Sequence, residues 1–239
     1  MNYIRFVQFK HYPEDNSYPF NIPAIRFLKD GKKLPFEKPV TFFVGENGMG
    51  KSTLIESIAV ASGFSAEGGS RDHCFDTMNT HSELYKYITI AKSAFPQDGF
   101  FLRAESFYNV ASYLDHSGSG MERYGGISLH NQSHGESFMS LVENRFEGNG
   151  LYILDEPEAA LSPGRLMQLL VRIDELVKQN SQFIISTHSP ILMAYPNADI
   201  YQFSETGIEA LKFKETEHYK ITKMFIDQPE HMMKYLLND

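Results

Sequence analysis

An α/β fold, built on a mostly parallel sheet with helices on its faces, is predicted by three observations. Strand-length apolar runs at residues 40–44, 151–154 and 182–186 alternate with stretches of helical periodicity at 51–61, 138–146 and 166–177. The residues before the first of these runs read instead as strands broken by turns, so an antiparallel β portion should lead into the central sheet. With 239 residues the chain is long enough for one domain with a full core.

In chain order, residues 3–10 alternate as a strand and residues 25–28 read as a second. Asp30-Gly31 signals a turn, and Pro35 punctuates before the β-branched and aromatic run at 40–44. A helix is expected over 51–61, then a glycine- and serine-rich connection at 63–69. Residues 82–95 carry apolar side chains at helical spacing and stop at Pro96, so a helix is expected there too, followed by a strand at 99–103 and a helix at 106–114. Residues 116–120 connect flexibly to a helix that opens near Ser133, presents Phe138, Leu141, Val142 and Phe146, and ends at Gly148-Asn149-Gly150. Residues 151–154 form a buried strand, and Ser162-Pro163 starts a helix with core face Leu166, Leu169, Leu170, Ile173, Leu176 and Val177. After the strand at 182–186, residues 199–203 and 208–213 read as a closing hairpin and the stretch from Tyr219 as helical. The whole, 1–239, reads as one domain with a helical subdomain inserted at about 72–148.

Composition excludes some roles. A net charge of −8 is not that of a protein whose main task is neutralising phosphate backbones. Lys32 and Lys33, next to Lys29, fit a solvated turn better than a basic patch. The lone Cys74 cannot form an intramolecular disulfide, which fits a cytoplasmic location. No apolar stretch reaches the roughly 20 residues of a membrane span, and the N-terminus shows no secretory apolar region. His73, Cys74 and His81, and His130 with His134, lack the partners and spacing of a metal site and read as surface residues.

The strongest motif is Gly45-Glu46-Asn47-Gly48-Met49-Gly50-Lys51-Ser52-Thr53, which matches G-x-x-x-x-G-K-[ST] between a strand and a helix. The glycines let successive backbone N–H groups curl around a phosphate, Lys51 can reach the β and γ oxygens, and the Ser52 hydroxyl can ligand Mg2+. The helix beginning near Lys51 adds its positive end. A buried strand running into Asp155-Glu156 completes the chemistry. Asp155 can hold the same Mg2+, and Glu156, one residue on, can orient or deprotonate a water in line with the γ-phosphate. A helix-start Asp and Glu at a strand end would be a fair reading in isolation; beside residues 45–52 it weakens greatly and the hydrolytic one is favoured. His188 follows a strand expected next to the phosphate-loop strand, where its imidazole can sense the γ-phosphate.

Together these residues carry a resemblance. Residues 45–53, Ser133 to Glu136, residues 151–156, Ala160 to Ser162 and His188 resemble, in order and spacing, the Walker A, signature, Walker B, D-loop and H-loop of the ABC-type P-loop ATPases. Gly45-Glu46-Asn47-Gly48, Asp155-Glu156-Pro157-Glu158 and Thr187-His188-Ser189-Pro190 look most like the soluble branch containing RecF, SMC-type proteins and the overcoming-lysogenization-defect nucleases. The resemblance implies ATP and Mg2+ as ligands, sandwiched in an ATP-dependent, head-to-tail homodimer. Asn47, Lys51 and Ser52 would then contact phosphates or Mg2+ in cis, and Ser133 and Gly135 the γ-phosphate in trans. His134 departs from the usual signature glycine, Gln132 from the usual leucine, and Glu136 fits the variant with Glu in the last position. Glu105 stands where the family's Q-loop glutamine falls, and also suits a helix N-terminus. The adenine-stacking aromatic is Tyr18, Phe20 or Phe27, with the choice open.

The reading that follows is an ATPase driving a separate effector protein or nucleic acid, in DNA maintenance or defence. The alternative is the nucleotide-binding subunit of an ABC transporter with its permease on another chain. A P-loop kinase would not need Glu156, the signature or His188, and a switch without turnover would not need the Asp155-Glu156 pair.

Overall fold

A computed structural model describes residues 2–11, 18–28, 31–70, 82–104 and 133–237. The elements run β1 (Ile4–Phe9), α1 (Pro23–Phe27), β2 (Leu34–Pro35), β3 (Val40–Gly45), α2 (Lys51–Ser62), β4 (Gly69–Ser70), β5 (Ile88–Lys92) and β6 (Asp98–Arg103). They continue with α3 (His134–Arg145), β7 (Gly150–Asp155), α4 (Pro163–Lys178), β8 (Gln182–Ser186), α5 (Pro190–Met193), β9 (Ala198–Ser204), β10 (Gly207–Ala210), α6 (Glu217–Asp227) and α7 (Pro229–Leu237).

The central sheet has seven strands in the order β10-β9-β3-β8-β7-β6-β4. Its five inner strands are parallel, and β10 and β4 pair antiparallel at the edges. β3, β7 and β8 are buried throughout, as parallel strands covered on both faces must be. Their alternation feeds two cores. Phe42, Val44, Tyr152, Leu154, Phe183 and Ile185 face α3, α4 and α5. Phe43, Ile153 and Ile184 face α2 and the second, antiparallel sheet, β2-β1-β5. The buried Gln182 side chain ties β1 to the central sheet like one more ladder rung. Its Oε1 accepts from Ile4 N at 2.8 Å and its Nε2 donates to Ile4 O at 2.9 Å.

Two expected elements change type. The helix over 82–95 is a single 3-10 turn, Glu83–Lys86, followed by β5. Ile88-Thr89-Ile90 is β-branched and alternates, and pairing with β1 decides between two periods that the same apolar residues satisfy. The strand expected at 25–28 is helix α1. Pro23 at its first turn presets the helical φ, and Ala24, Ile25 and Leu28 bury one face. Pro35, expected only as a break, lies in β2 on the edge of the small sheet, where no ladder N–H is missed. The closing hairpin is β9-β10, with β10 ending at Ala210.

β5 and β6 fall inside the interval 72–148 expected to be a helical subdomain, and they belong to the two sheets. Residues 71–81 and 105–132, nearly all within that interval, lie outside the described set, including the helix expected at 106–114, the connection at 116–120, His73, Cys74, His81, Glu105 and His130. Lys29 and Asp30 lie outside it too. The end of α3 is fastened by a buried cluster. Arg145 Nη1 donates to Asp98 Oδ1 at 2.7 Å, and Tyr152 OH donates to Asp98 Oδ2 at 2.5 Å. At the C-terminus α6 and α7 bury no side chain, and Ile221, Met224, Phe225 and Leu236 are exposed.

Candidate active site at the carboxyl edge of the parallel sheet

The parallel strands deliver their functional residues to one edge, where ligands of open α/β sheets bind. Register sets them side by side: Arg103 pairs with Asp155, Asp155 with Ser186, and Ser186 with Phe43, two residues before Gly45. Backbone bonds carry the alignment past the strand ends. Glu156 N donates to Ser186 O at 3.0 Å, and Thr187 N to Phe43 O at 3.0 Å.

The phosphate loop is shaped by its glycines. Gly45 has φ +133°, and a Cβ there would stand 2.2 Å from the carbonyl oxygen of Phe203, so no other residue fits. Gly50, at φ +94°, precedes α2, and its missing side chain makes room for Ile22. Glu46 and Asn47 are exposed, whereas Met49 packs against the core beneath. Lys51 is buried, its Nζ held at 2.7 Å by Gly45 O and 2.9 Å by Glu46 O. Burial lowers its pKa, against the pull of Glu156, Asp155, Glu158 and Glu46. The ammonium thus waits inside the loop on two carbonyls that a phosphate oxygen can replace.

Ser52 Oγ donates to Asp155 Oδ1 at 3.2 Å, joining α2 to β7. Burial raises the Asp155 pKa, and Arg103, with Nε 3.6 Å from Oδ2, offsets only part of that. Two hard oxygen donors, one a buried carboxylate short of positive charge, fit Mg2+. Their spacing is close to the roughly 3 Å that separates adjacent ligands around an octahedral ion with ~2.1 Å bonds.

Glu156 adopts a left-handed backbone, φ +52° and ψ +53°, strained for a side chain with a Cβ by about 1–2 kcal/mol. That turn aims its carboxylate across the cleft at His188, with Oε1 3.4 Å from His188 Nε2. His188 is fixed from behind: its backbone N–H donates to Glu158 Oε1, and its Nδ1 lies 3.0 Å from His218 Nε2. Burial raises the Glu158 pKa, opposed by that backbone bond. A cavity of about 340 Å³ is lined by Ser52, Arg103, Asp155, Glu156, Ala160 and His134, among others.

The signature stretch lies at the rim. Ser133 and Glu136 close on each other in a capping box, Ser133 Oγ donating to Glu136 Oε2 at 2.7 Å, and Arg165 pairs with Glu136 at 3.3 Å. Gly135 packs against the D-loop, where an added Cβ would meet Ala160 O at 3.0 Å. Ser133, His134 and Glu136 are exposed. Of the three aromatics considered for the base, Phe20 is buried, Phe27 lies under Lys32, and Tyr18 is exposed with its hydroxyl 3.2 Å from Thr53 Oγ1.

The structure therefore brings together Lys51, Ser52, Asp155, Glu156 and His188, as expected from sequence, and His134 lines the cavity with Ser52, Asp155 and Glu156; Glu105 is outside the described residues. Three participants escaped the sequence reading. Arg103 ends a strand whose parallel register with residues 150–155 would have exposed it, and it is held by Glu56 at 2.6 Å. Glu158 had only the Asp155-Glu156-Pro157-Glu158 run as a signal. His218 had none, since it arrives from a helix beyond the closing hairpin.

A family described as the AAA ATPase domain matches residues 75–193. No curated protein matches the chain. Among solved structures, an inward-facing metal-chelate-type ABC transporter superposes with a TM-score of 0.53 at 16% identity, over 94% of this chain and 89% of that one. The cbiO1 protein of Clostridium perfringens, part of the ABC transporter complex cbiONQ, gives 0.53 at 18% identity, over 98% and 100%. The SMC head domain of Thermotoga maritima gives 0.47 at 13%, over 88% and 99%. The fold is that of an ABC-type P-loop ATPase.

Proposed function

We propose that this ABC-type ATPase domain hydrolyses ATP to ADP and phosphate between two copies of itself, head to tail, and passes the resulting motion to a separate partner. The observation that carries the reading is the convergence of Lys51, the Ser52–Asp155 pair and the Glu156–His188 pair on one edge of the sheet.

The chemistry follows from the side chains. Lys51 leaves the carbonyls of Gly45 and Glu46 for the β- and γ-phosphates, and the N–H groups of residues 46–51 surround them. Mg2+, held by Ser52 and Asp155, would neutralise charge developing on the phosphates. Glu156 accepts the proton of a water as its oxygen bonds to the γ-phosphorus and the bond to ADP breaks. His188 Nε2–H donates to a γ-phosphate oxygen and is within reach of Glu156, so one imidazole registers both nucleotide and base. Exposed Ser133, with the start of α3, supplies an anion site for the facing copy's γ-phosphate. Tyr18 is the platform for adenine. Glu105 takes the Q-loop place.

The test is ATP turnover and size-exclusion light scattering of the wild type, Lys51→Ala and Glu156→Gln. Lys51→Ala should lose ATP binding, and Glu156→Gln should bind ATP, accumulate as a dimer and not turn over. A monomeric Glu156→Gln protein at saturating ATP and Mg2+ would count against the sandwich. Among the described residues no helix is long and apolar enough to cross a membrane, and the alternative reading pairs this domain with a permease. Capture from the native host with ATP-locked Glu156→Gln separates the roles: a polytopic membrane protein means transport, a nuclease or nucleic acid means DNA maintenance or defence.

A further inference from the structure

His218 lies 3.0 Å, through its Nε2, from His188 Nδ1, and its ring centroid is 5.2 Å from that of His188. Two imidazole nitrogens at this distance share one proton, so the arrangement must choose a donor. The surroundings make the choice. His188 Nε2 is shielded from solvent, makes no hydrogen bond, and has Glu156 Oε1 3.4 Å away. His218 Nδ1 is likewise shielded and without a partner.

Suppose His188 Nδ1 carried the proton and donated to His218. His188 Nε2 would then direct a bare lone pair at the Glu156 carboxylate, a repulsive contact, while His218 Nδ1 would bury an unpaired N–H in place of an unpaired lone pair, at a similar cost of about 1–3 kcal/mol either way. In the opposite arrangement, His218 Nε2–H donates to His188 Nδ1, His188 Nε2–H faces Glu156, and the one nitrogen left over is an unused acceptor. His218 is suited to stay neutral, since burial and then the neighbouring His188 and Lys51 all hold its pKa below the usual histidine value.

We propose that His218 is a positioning residue, whose Nε2–H holds His188 in the tautomer with its proton on Nε2, facing the Glu156 carboxylate. That the proton then meets a γ-phosphate rests on the hydrolytic reading above. The placement is deliberate in the fold. Thr216 Oγ1 accepts from Tyr219 N at 3.3 Å and donates to Phe213 O at 2.8 Å, which anchors the first turn of α6. Thr216 is fully buried, whereas nothing in α6 or α7 is. The anchored end of this otherwise superficial helical pair is the end that carries His218.

The experiment is nitrogen-15 NMR of histidine-labelled protein without nucleotide at pH 8, reading the His188 tautomer from its two-bond couplings. The wild type should show Nε2–H; His218→Ala should shift His188 toward Nδ1–H or a mixture. His218→Gln, whose Nε2 amide can donate from nearly the same place, should restore Nε2–H. In steady-state ATPase assays His218→Ala should lose roughly tenfold or more in kcat with KM within about twofold, the scale on which loss of a histidine's orienting partner is felt, and His218→Gln should recover most of it. An Nδ1–H tautomer in the wild type overturns the proposal, as does a His218→Ala protein with unchanged tautomer and kcat. The wild-type spectrum decides it even if no variant folds. Absence of ATP turnover in the wild type would strike the hydrolytic reading and leave the tautomer result standing.

Discussion

Ser52 Oγ and Asp155 Oδ1, 3.2 Å apart, are contributed by elements separated by about a hundred residues of chain, and they line the cleft as an oxygen pair suited to a small divalent ion. If that pair holds Mg2+, Asp155→Asn should lose most of the gain in ATP affinity that Mg2+ gives the wild type, at least tenfold in Kd, while Mg2+-free binding changes little. Calorimetry with and without Mg2+ checks this. Equal Mg2+ dependence in both proteins would remove Asp155 from the metal site.

Tyr18 is 66% exposed and tethered to α2 through Thr53, so its ring is free to receive a base. Replacing it with Ala should weaken ATP binding by roughly tenfold, the lower end of a base–aromatic stack, and Tyr18→Trp should restore it. Phe20→Leu, altering a buried ring, should instead lower stability and leave affinity unchanged.

Glu156 sits in a conformation that glycine adopts freely. Glu156→Gly should unfold at higher urea than Glu156→Ala, by about 1 kcal/mol, although neither should turn over ATP. Reversal of that order would show that the turn relaxes when the carboxylate is gone.

Asp98 tests the other end of β6. Burial opposes its charge, but the hydrogen bond from Tyr152 and the pairing with Arg145 prevail and hold its pKa below the ordinary value of 3.8. A carboxylate with a depressed folded pKa contributes stability above its unfolded pKa, and that contribution disappears as pH falls through the folded value. The wild type should therefore exceed Asp98→Asn by about 2 kcal/mol at pH 7, discounted from a fully buried pair for partial exposure, with the gap closing at an acid pH below the folded pKa. Urea titrations at both pH values measure it.

What sequence revealed and what it withheld divide along physical lines. The loop, the Asp155-Glu156 strand end and His188 were legible because each follows an apolar run long enough to be a strand, and parallel strands must present their ends together. The β5 segment was misread because Leu84, Ile88 and Ala91 satisfy a helical period while Ile88-Thr89-Ile90 satisfies a strand, and only pairing with β1 decides. Arg103 was invisible until register set it beside Asp155. His218 depended on where a C-terminal helix docks, which no local pattern encodes.

The partners of β3 have a consequence for how the protein is made. The strand beneath the phosphate loop is complete early in synthesis, yet its two neighbours, β8 and β9, come from residues 182–204, and β1 waits for the amide of Gln182. Until those residues leave the ribosome, Val40, Phe42, Phe43 and Val44 have no sheet to enter, and the loop above them has no fixed curvature. Such distant pairing folds slowly and leaves apolar strand edges open to other chains in the meantime. The phosphate loop is thus among the last features acquired, and a ligand held there can steady the finished molecule without guiding its assembly.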